Sequence, residues 1–397
     1  MQTQVITISG FWRELAQKTA QVLLLVGLVL MPLSTHWMNQ FLITSAIISL
    51  FGWGWTERAT SLRQHRSVIY TVIFFAVAVI GVFYSAGSTY HALHGLSVYA
   101  KLFYLIIFLP LFTERRFRDM AIGAFLLGIF CAVLIVLFGV TEKTLVNEID
   151  TSFMAGFACF ILARRFLDGG NWRWVYAALF IFMACFMLVY NVQRTGYLVF
   201  FAMMAVLFWQ SFRWRGLFAG LLLLLVATVS LYSFFPKFQH RISEGYTQAM
   251  QYSPNNVKGD NSIGLRVAFV DYSWQAIKPH LIFGNGTGSF IDVYKTTGGP
   301  FIGGGGLSHP HNQYVMILFQ FGLVGLFLFL LWQWSIYRES LQLPRDEQRL
   351  LEALLVSFIL LGVCNVSFDV SPSGELFIIF TAAFLSSKTL TVRKSIQ

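Results

Sequence analysis

Four residues in a row, His309, Pro310, His311 and Asn312, stand immediately before a long apolar run. Two of them carry imidazoles, whose charge changes near neutral pH. Two arginines are placed as conspicuously. Arg194 sits in YNVQRTGY, a short polar break between apolar runs, and Arg266 sits in NSIGLRVAFVDYSWQAI. Asp369 stands in NVSFDVSPSGE, another such break. An arginine fork matches two phosphate oxygens at once, and a neutral histidine can take the proton of a hydroxyl. Together these groups suit displacement of a phosphorylated leaving group by an alcohol. No Asp-x-Asp pair or carboxylate cluster is evident on the same side, so the arginines stand where a divalent metal otherwise would. The expected mechanism uses neither metal nor cofactor.

Each residue also has a plainer use, and both readings stand at this stage. His311 or Asn312 can cap the helix that follows, because Pro310 disfavours helix at His309. Arg266 can be solvated or bound to lipid headgroups. Asp369 can pair with an arginine or histidine, or cap a turn with Ser371 and Pro372. Arg194 is harder to explain away, since a charge at the edge of hydrocarbon is costly unless it snorkels or pairs.

The elements that must hold these residues are membrane helices. The chain has 397 residues, 56% hydrophobic and only 12% charged, with a mean hydropathy of +0.66. A water-soluble surface needs more charge than that. Spans need about 20 apolar residues, and about twelve runs qualify: 20–33, 39–55, 67–85, 98–112, 120–140, 152–166, 173–191, 196–211, 216–235, 311–334, 350–367 and 374–387. The first follows a polar, charged start without a small-residue cleavage site, so it reads as a membrane helix and not a signal peptide. Cys131, Cys159, Cys185 and Cys364 all lie in apolar runs, which implies no disulfide framework and no zinc site.

Most of the 28 Lys and Arg residues fall in the N-terminal segment, in alternate connections (Arg58 to Arg66, Arg115 to Arg118, Arg164 to Arg173, Arg213 and Arg215, Arg338 to Arg349) and at the C-terminus. By the positive-inside rule those segments and both termini are cytoplasmic. The net charge of +10 is mostly this signal and implies no nucleic-acid partner. Helices at 1–235 and 311–397 then flank one long loop, 236–310, on the opposite face. Within it, apolar residues at 263, 267, 270, 274 and 277 mark one face of an amphipathic helix with Arg266 at its edge. Gly284, Gly286 and Gly288 permit a tight turn but lack the context of a dinucleotide fold. No internal repeat is evident, and the spans are nearly free of charge, which argues against a transporter.

The order of these motifs resembles the O-antigen ligase (polymerase/ligase) superfamily of bacterial envelope enzymes. A QRTG-like arginine precedes a long loop carrying GLRVAFVDYSWQAIKPHLIFGNGTGSF, and HPHNQYVMILFQFGLVGLFLFL follows. The resemblance covers about 190–330 in detail; the four-glycine run at 303–306 departs from it. It implies an all-α, twelve-span inner-membrane glycosyltransferase of GT-C type, with its site facing the periplasm. The donor would be an undecaprenyl diphosphate-linked glycan and the acceptor a lipid A core sugar. By motif, Arg194 and Arg266 correspond to the family's essential arginines and His311 to its essential histidine; Asp369 is a weaker match. Arg241 and Lys278 would add positive field for the anionic lipid, with His309 and Asn312 in support. Other branches polymerise O-antigen or glycosylate protein. The C-terminus, about ten residues past the last span, leaves no room for the soluble region often seen in the protein-modifying branch.

Overall fold

The structure, a computed structural model, describes residues 8–52, 59, 62–139, 145–191, 193–250, 262–299, 309–368 and 372–388. All regular structure among them is helical. In chain order the helices are α1 (Ile8–Leu30), α2 (Thr35–Gly52), α3 (Arg66–Phe83), α4 (Thr89–Tyr99), α5 (Phe103–Phe108), α6 (Arg115–Leu137), α7 (Glu148–Asp168) and α8 (Arg173–Cys185). They continue as α9 (Arg194–Phe234), α10 (Pro236–Met250), α11 (Ser262–Ile277), α12 (Phe290–Thr296), α13 (Gln313–Ser340), α14 (Arg345–Cys364) and α15 (Ser373–Leu385). Among the described residues, six helical stretches are long and apolar enough to cross a membrane: Arg66–Phe83, Thr89–Phe112, Arg115–Leu137, Arg173–Tyr190, Arg194–Phe234 and Gln313–Ser340. The surface agrees. Phe218, Leu222, Leu225, Phe234 and Phe327 are all at least 60% exposed, which water would penalise and lipid does not. The chain is a membrane protein.

At the centre, α7 and α15 are buried on all sides, which is why their sequences are apolar without a polar stripe. Ion pairs gather the arginine-rich connections at one end of the molecule: Arg118 to Glu347 at 3.0 Å, Arg165 to Asp119 at 3.1 Å and Arg115 to Asp346 at 3.6 Å. At that end the buried Glu339 also bonds His65 and the Ser67 N–H, each at 2.8 Å.

The runs 196–211 and 216–235 share the one helix α9, broken at Arg213 (φ 56°, ψ −144°). Phe208 and Gly220 are twelve positions apart, about 18 Å along a straight helix. A Cβ on Gly220 would nevertheless strike the Phe208 ring, so the chain reverses at Arg213.

A second break, at Gly322 (φ 61°, ψ −160°) inside α13, organises the other end. In an unbroken helix the Leu323 and Val324 N–H groups donate to the Phe319 and Gln320 carbonyls. Here the 281–286 segment takes both bonds over. Leu323 and Val324 donate to the Leu281 and Ile282 carbonyls at 2.8 and 3.2 Å. Asn285 and Gly286 donate to the Phe319 and Gln320 carbonyls at 2.9 and 2.8 Å. All four backbone groups are satisfied, as a buried break requires. The backbones touch closely enough that a Cβ on Gly284 would meet Gln320, and one on Gly322 would meet Ile282. Thr287 then ties the segment to α3, its N–H to Gly81 at 3.0 Å and its hydroxyl to Ala78 at 2.6 Å. The GNGTG turn is a structural plug.

The face expected for α11 is corrected. Leu265, Ala268, Phe269, Ala276 and Ile277 are buried, whereas Val267, Val270 and Trp274 are at least 40% exposed. Only Ile277 of the expected stripe is buried with them. The helix is apolar nearly all round, so spacing alone does not choose its inner side.

Candidate functional site

At the plug end, α10 lies against the start of α9. Arg241, Glu244, Gly245 and Gln248 follow helical spacing and share one face of α10. Arg194, the first residue of α9, reaches across to all four. Its Nε donates to the Arg241 carbonyl at 3.1 Å, one Nη to Gln248 Oε1 at 3.1 Å and the other to Glu244 Oε2 at 3.0 Å. Arg241 donates to the same Glu244 oxygen at 2.9 Å, and Gln248 Nε2 to the other at 3.0 Å. Gly245 supplies the clearance, since a Cβ there would stand 3.1 Å from Arg194 Nε. One carboxylate thus receives donors from two guanidinium groups and an amide, the set a phosphate oxygen attracts.

Arg266 projects from α11 into the same region, where its charge acts on Arg194 and couples to Arg241 and His311. Burial pulls its pKa below the ordinary arginine value, Cys364 opposing and Arg241 adding; the group still stays protonated at neutral pH.

His311 has left-handed backbone, φ 51°. It precedes the helix and does not cap it. Asn312 is the cap: its side chain accepts from the Tyr314 and Val315 N–H groups, both at 3.0 Å, and donates to the Val363 carbonyl at 3.0 Å. The capping alternative for His311 is thereby removed. The His311 ring stacks on Phe269, centroids 5.8 Å apart, and meets the His309 ring edge-on at 4.5 Å. Its Nδ1 is buried without a hydrogen-bond partner among the described residues, and the Asn365 side chain lies near enough to act on the imidazole. Burial lowers the His311 pKa, the Arg266 charge lowers it further and Asn365 opposes. Burial and then His311 push His309 down to about 4. His309 accepts the His311 backbone N–H at 3.4 Å through Nδ1.

The structure therefore brings Arg194, Arg241, Arg266, His311, His309 and Asn312 together. It does not bring Lys278, which is exposed and twelve positions beyond Arg266, about 18 Å further along. Asp369 and the 303–306 glycines lie outside the described residues.

Glu244, Gln248 and Asn365 escaped the sequence reading, although the spacing of 241, 244 and 248 signals the first two. Sparse charge in the spans also needs correcting. Lys101 bonds Glu375 at 3.0 Å and the Phe368 carbonyl at 2.6 Å, and Asp150 accepts from the Ser373 hydroxyl, all deep among α4, α7 and α15. Each is unremarkable singly, and only folding pairs them. These carboxylates approach one another but are already engaged, and no group of three His, Cys, Asp or Glu among the described residues suits a metal ion.

Residues 177–330 match the family model described as O-antigen ligase. The match supports a member of the O-antigen ligase/polymerase superfamily. The match supports a membrane enzyme of glycosyltransferase type. No curated protein matches the chain. The ligase domain runs from α8 into α13 and so contains the arginines, both histidines, the Asn312 cap and the plugged break. Asn365, against His311, is supplied from outside it by α14.

Proposed function

We propose that the protein is an O-antigen ligase. It moves a glycan from undecaprenyl diphosphate to a sugar of the lipid A core, at the periplasmic face of a twelve-span inner-membrane protein of GT-C type. The observation that carries this reading is the gathering of three arginines beside a half-buried imidazole, within the segment that matches the family.

The diphosphate of the donor takes the place of the Glu244 carboxylate among Arg194, Arg241 and Gln248, and Arg266 faces it from α11. Arginine forks neutralise the charge that grows as the bond from the anomeric carbon to the diphosphate oxygen breaks. The acceptor hydroxyl attacks the opposite face of that carbon, so configuration inverts. Its proton passes to His311, whose unpartnered Nδ1 is the acceptor. His311 must be neutral to do this, and its lowered pKa keeps it so.

Purified full-length protein with a lipid-linked donor and core acceptor tests the reading without ATP. Arg194→Lys and Arg266→Lys should each lose most activity, because an ammonium does not fork across two oxygens. Near-normal turnover in both would remove the clamp. Chelator should leave turnover unchanged; inhibition reversed by a divalent ion would remove the metal-free mechanism. A deletion strain separates the branches: unattached lipid-linked polymer over intact core identifies a ligase, and core capped with a single repeat identifies a polymerase.

A further inference from the structure

Beside His309 lies a cavity of about 360 Å³. That volume falls within the ~300–1,000 Å³ of small-molecule sites. Imidazoles of His91, His94 and His309 line it, with the Gln320 amide and the apolar walls of Phe290 and Ile291. No Asp, Glu, Lys or Arg is among its lining residues that the structure describes. A charged ligand would find no counter-charge there, and a wholly apolar one would strand the imidazoles and the amide. Groups that donate at one atom and accept at another suit a ligand whose hydroxyls do both.

The polar groups are fixed in place. His91 Nδ1 bonds Asp292 at 2.8 Å, and Asp292 also accepts the Ser88 N–H at 2.7 Å. A carboxylate holding Nδ1–H leaves the neutral ring's Nε2 as an acceptor. Gln320 is held by the Gly288 N–H at 2.8 Å, so the plug that repairs the α13 break also aims this amide. His309 is the shared wall, in contact with His311 through both ring and backbone.

We propose that this cavity binds the neutral sugar of the acceptor, with a hydroxyl turned toward the His309–His311 pair at its His309 wall. This rests on the transferase reading above. Anionic donor and neutral acceptor are thereby sorted by charge between the arginine cluster and this cavity.

Full-length protein in nanodiscs is titrated with delipidated core oligosaccharide by saturation-transfer NMR, and separately with undecaprenyl diphosphate. Ile291→Trp and Val98→Trp fill the cavity from two walls. Each should cut the oligosaccharide signal at least fivefold and raise the acceptor KM at least tenfold, with affinity for undecaprenyl diphosphate within twofold of wild type. His94→Ala, at an exposed position, guards against misfolding and should raise the acceptor KM about threefold. Wild-type oligosaccharide binding in all three variants overturns the proposal, as does a parallel loss of undecaprenyl diphosphate binding. Oligosaccharide that binds here and is displaced by Ile291→Trp, in a protein that transfers nothing to it, upholds the sugar site and sinks the transferase reading instead.

Discussion

The breaks in α9 and α13 have nearly the same backbone angles and opposite chemistry. At Arg213 the chain reverses among Trp209, Phe212 and Trp214, all exposed, at the arginine-rich end. Water can serve the backbone groups opened there, and an arginine is tolerated. At Gly322 the break is buried, and its orphaned groups are met one for one by the 281–286 segment. There a side chain would collide with Ile282. Positive φ is therefore a minor matter at a wet turn and a demanding one inside protein, where every N–H and C=O must find a partner. His311, the other non-glycine residue of positive φ among those described, is half-buried, between the exposed turn at Arg213 and the buried break at Gly322. Neither turn chemistry nor backbone repair accounts for an imidazole there, whereas the proposed function gives it a proton to carry.

Replacing His311 sharpens that contrast most. His311→Asn keeps a residue that tolerates positive φ, so the protein should fold while turnover at saturating donor falls ~10²–10⁴-fold. Wild-type turnover would make His311 a mere turn residue like Arg213. Gly322→Val comes next: a collision with backbone on both sides of the break should cost about 3 kcal/mol or more and empty the monodisperse peak in detergent. A melting temperature equal to wild type would show that the plug is not packed as described. The third effect is on pH. Because the His311 pKa is lowered, the neutral base persists to more acid solution than an ordinary imidazole allows. The acid limb of kcat should have its midpoint below 6.5. A midpoint above 6.5, or no acid limb, would exclude this group as the base. The smallest effect belongs to Arg213→Gly, where relief of the backbone and loss of chain stiffness nearly cancel. Stability should stay within about 1 kcal/mol, and a larger loss would mean that the two breaks are alike after all.

Much of this was legible in the sequence, for physical reasons. Apolar runs announce helices because lipid leaves the backbone few alternatives, and each expected run is largely helical where it is described. Asn312 was readable as a cap from its place after proline and before the apolar run. Arg194 stood out because a charge there demands a reason. What stayed hidden depends on contacts distant in sequence. The inner side of α11 is set by α12 and α13, since its own residues are apolar all round. Lys101 and Glu375 meet only because α4 and α15 pack. The glycines at 284 and 286 give no sign that their partner is a helix break more than thirty residues on.

The Glu244 carboxylate has a consequence for selectivity. It is tethered on the same helix as Arg241, so it competes for the guanidinium groups as though dissolved at high concentration. A small free anion arriving from solution meets an occupied seat and brings at most a little more charge than the occupant, with no tether to hold it. A lipid diphosphate brings more charge, and its tail holds it at the membrane surface. The resting site thus sorts anions by valence and residence, so inorganic phosphate should inhibit poorly and pyrophosphate better. Under the proposed function, the site stays open to its donor because it already carries its own weak inhibitor.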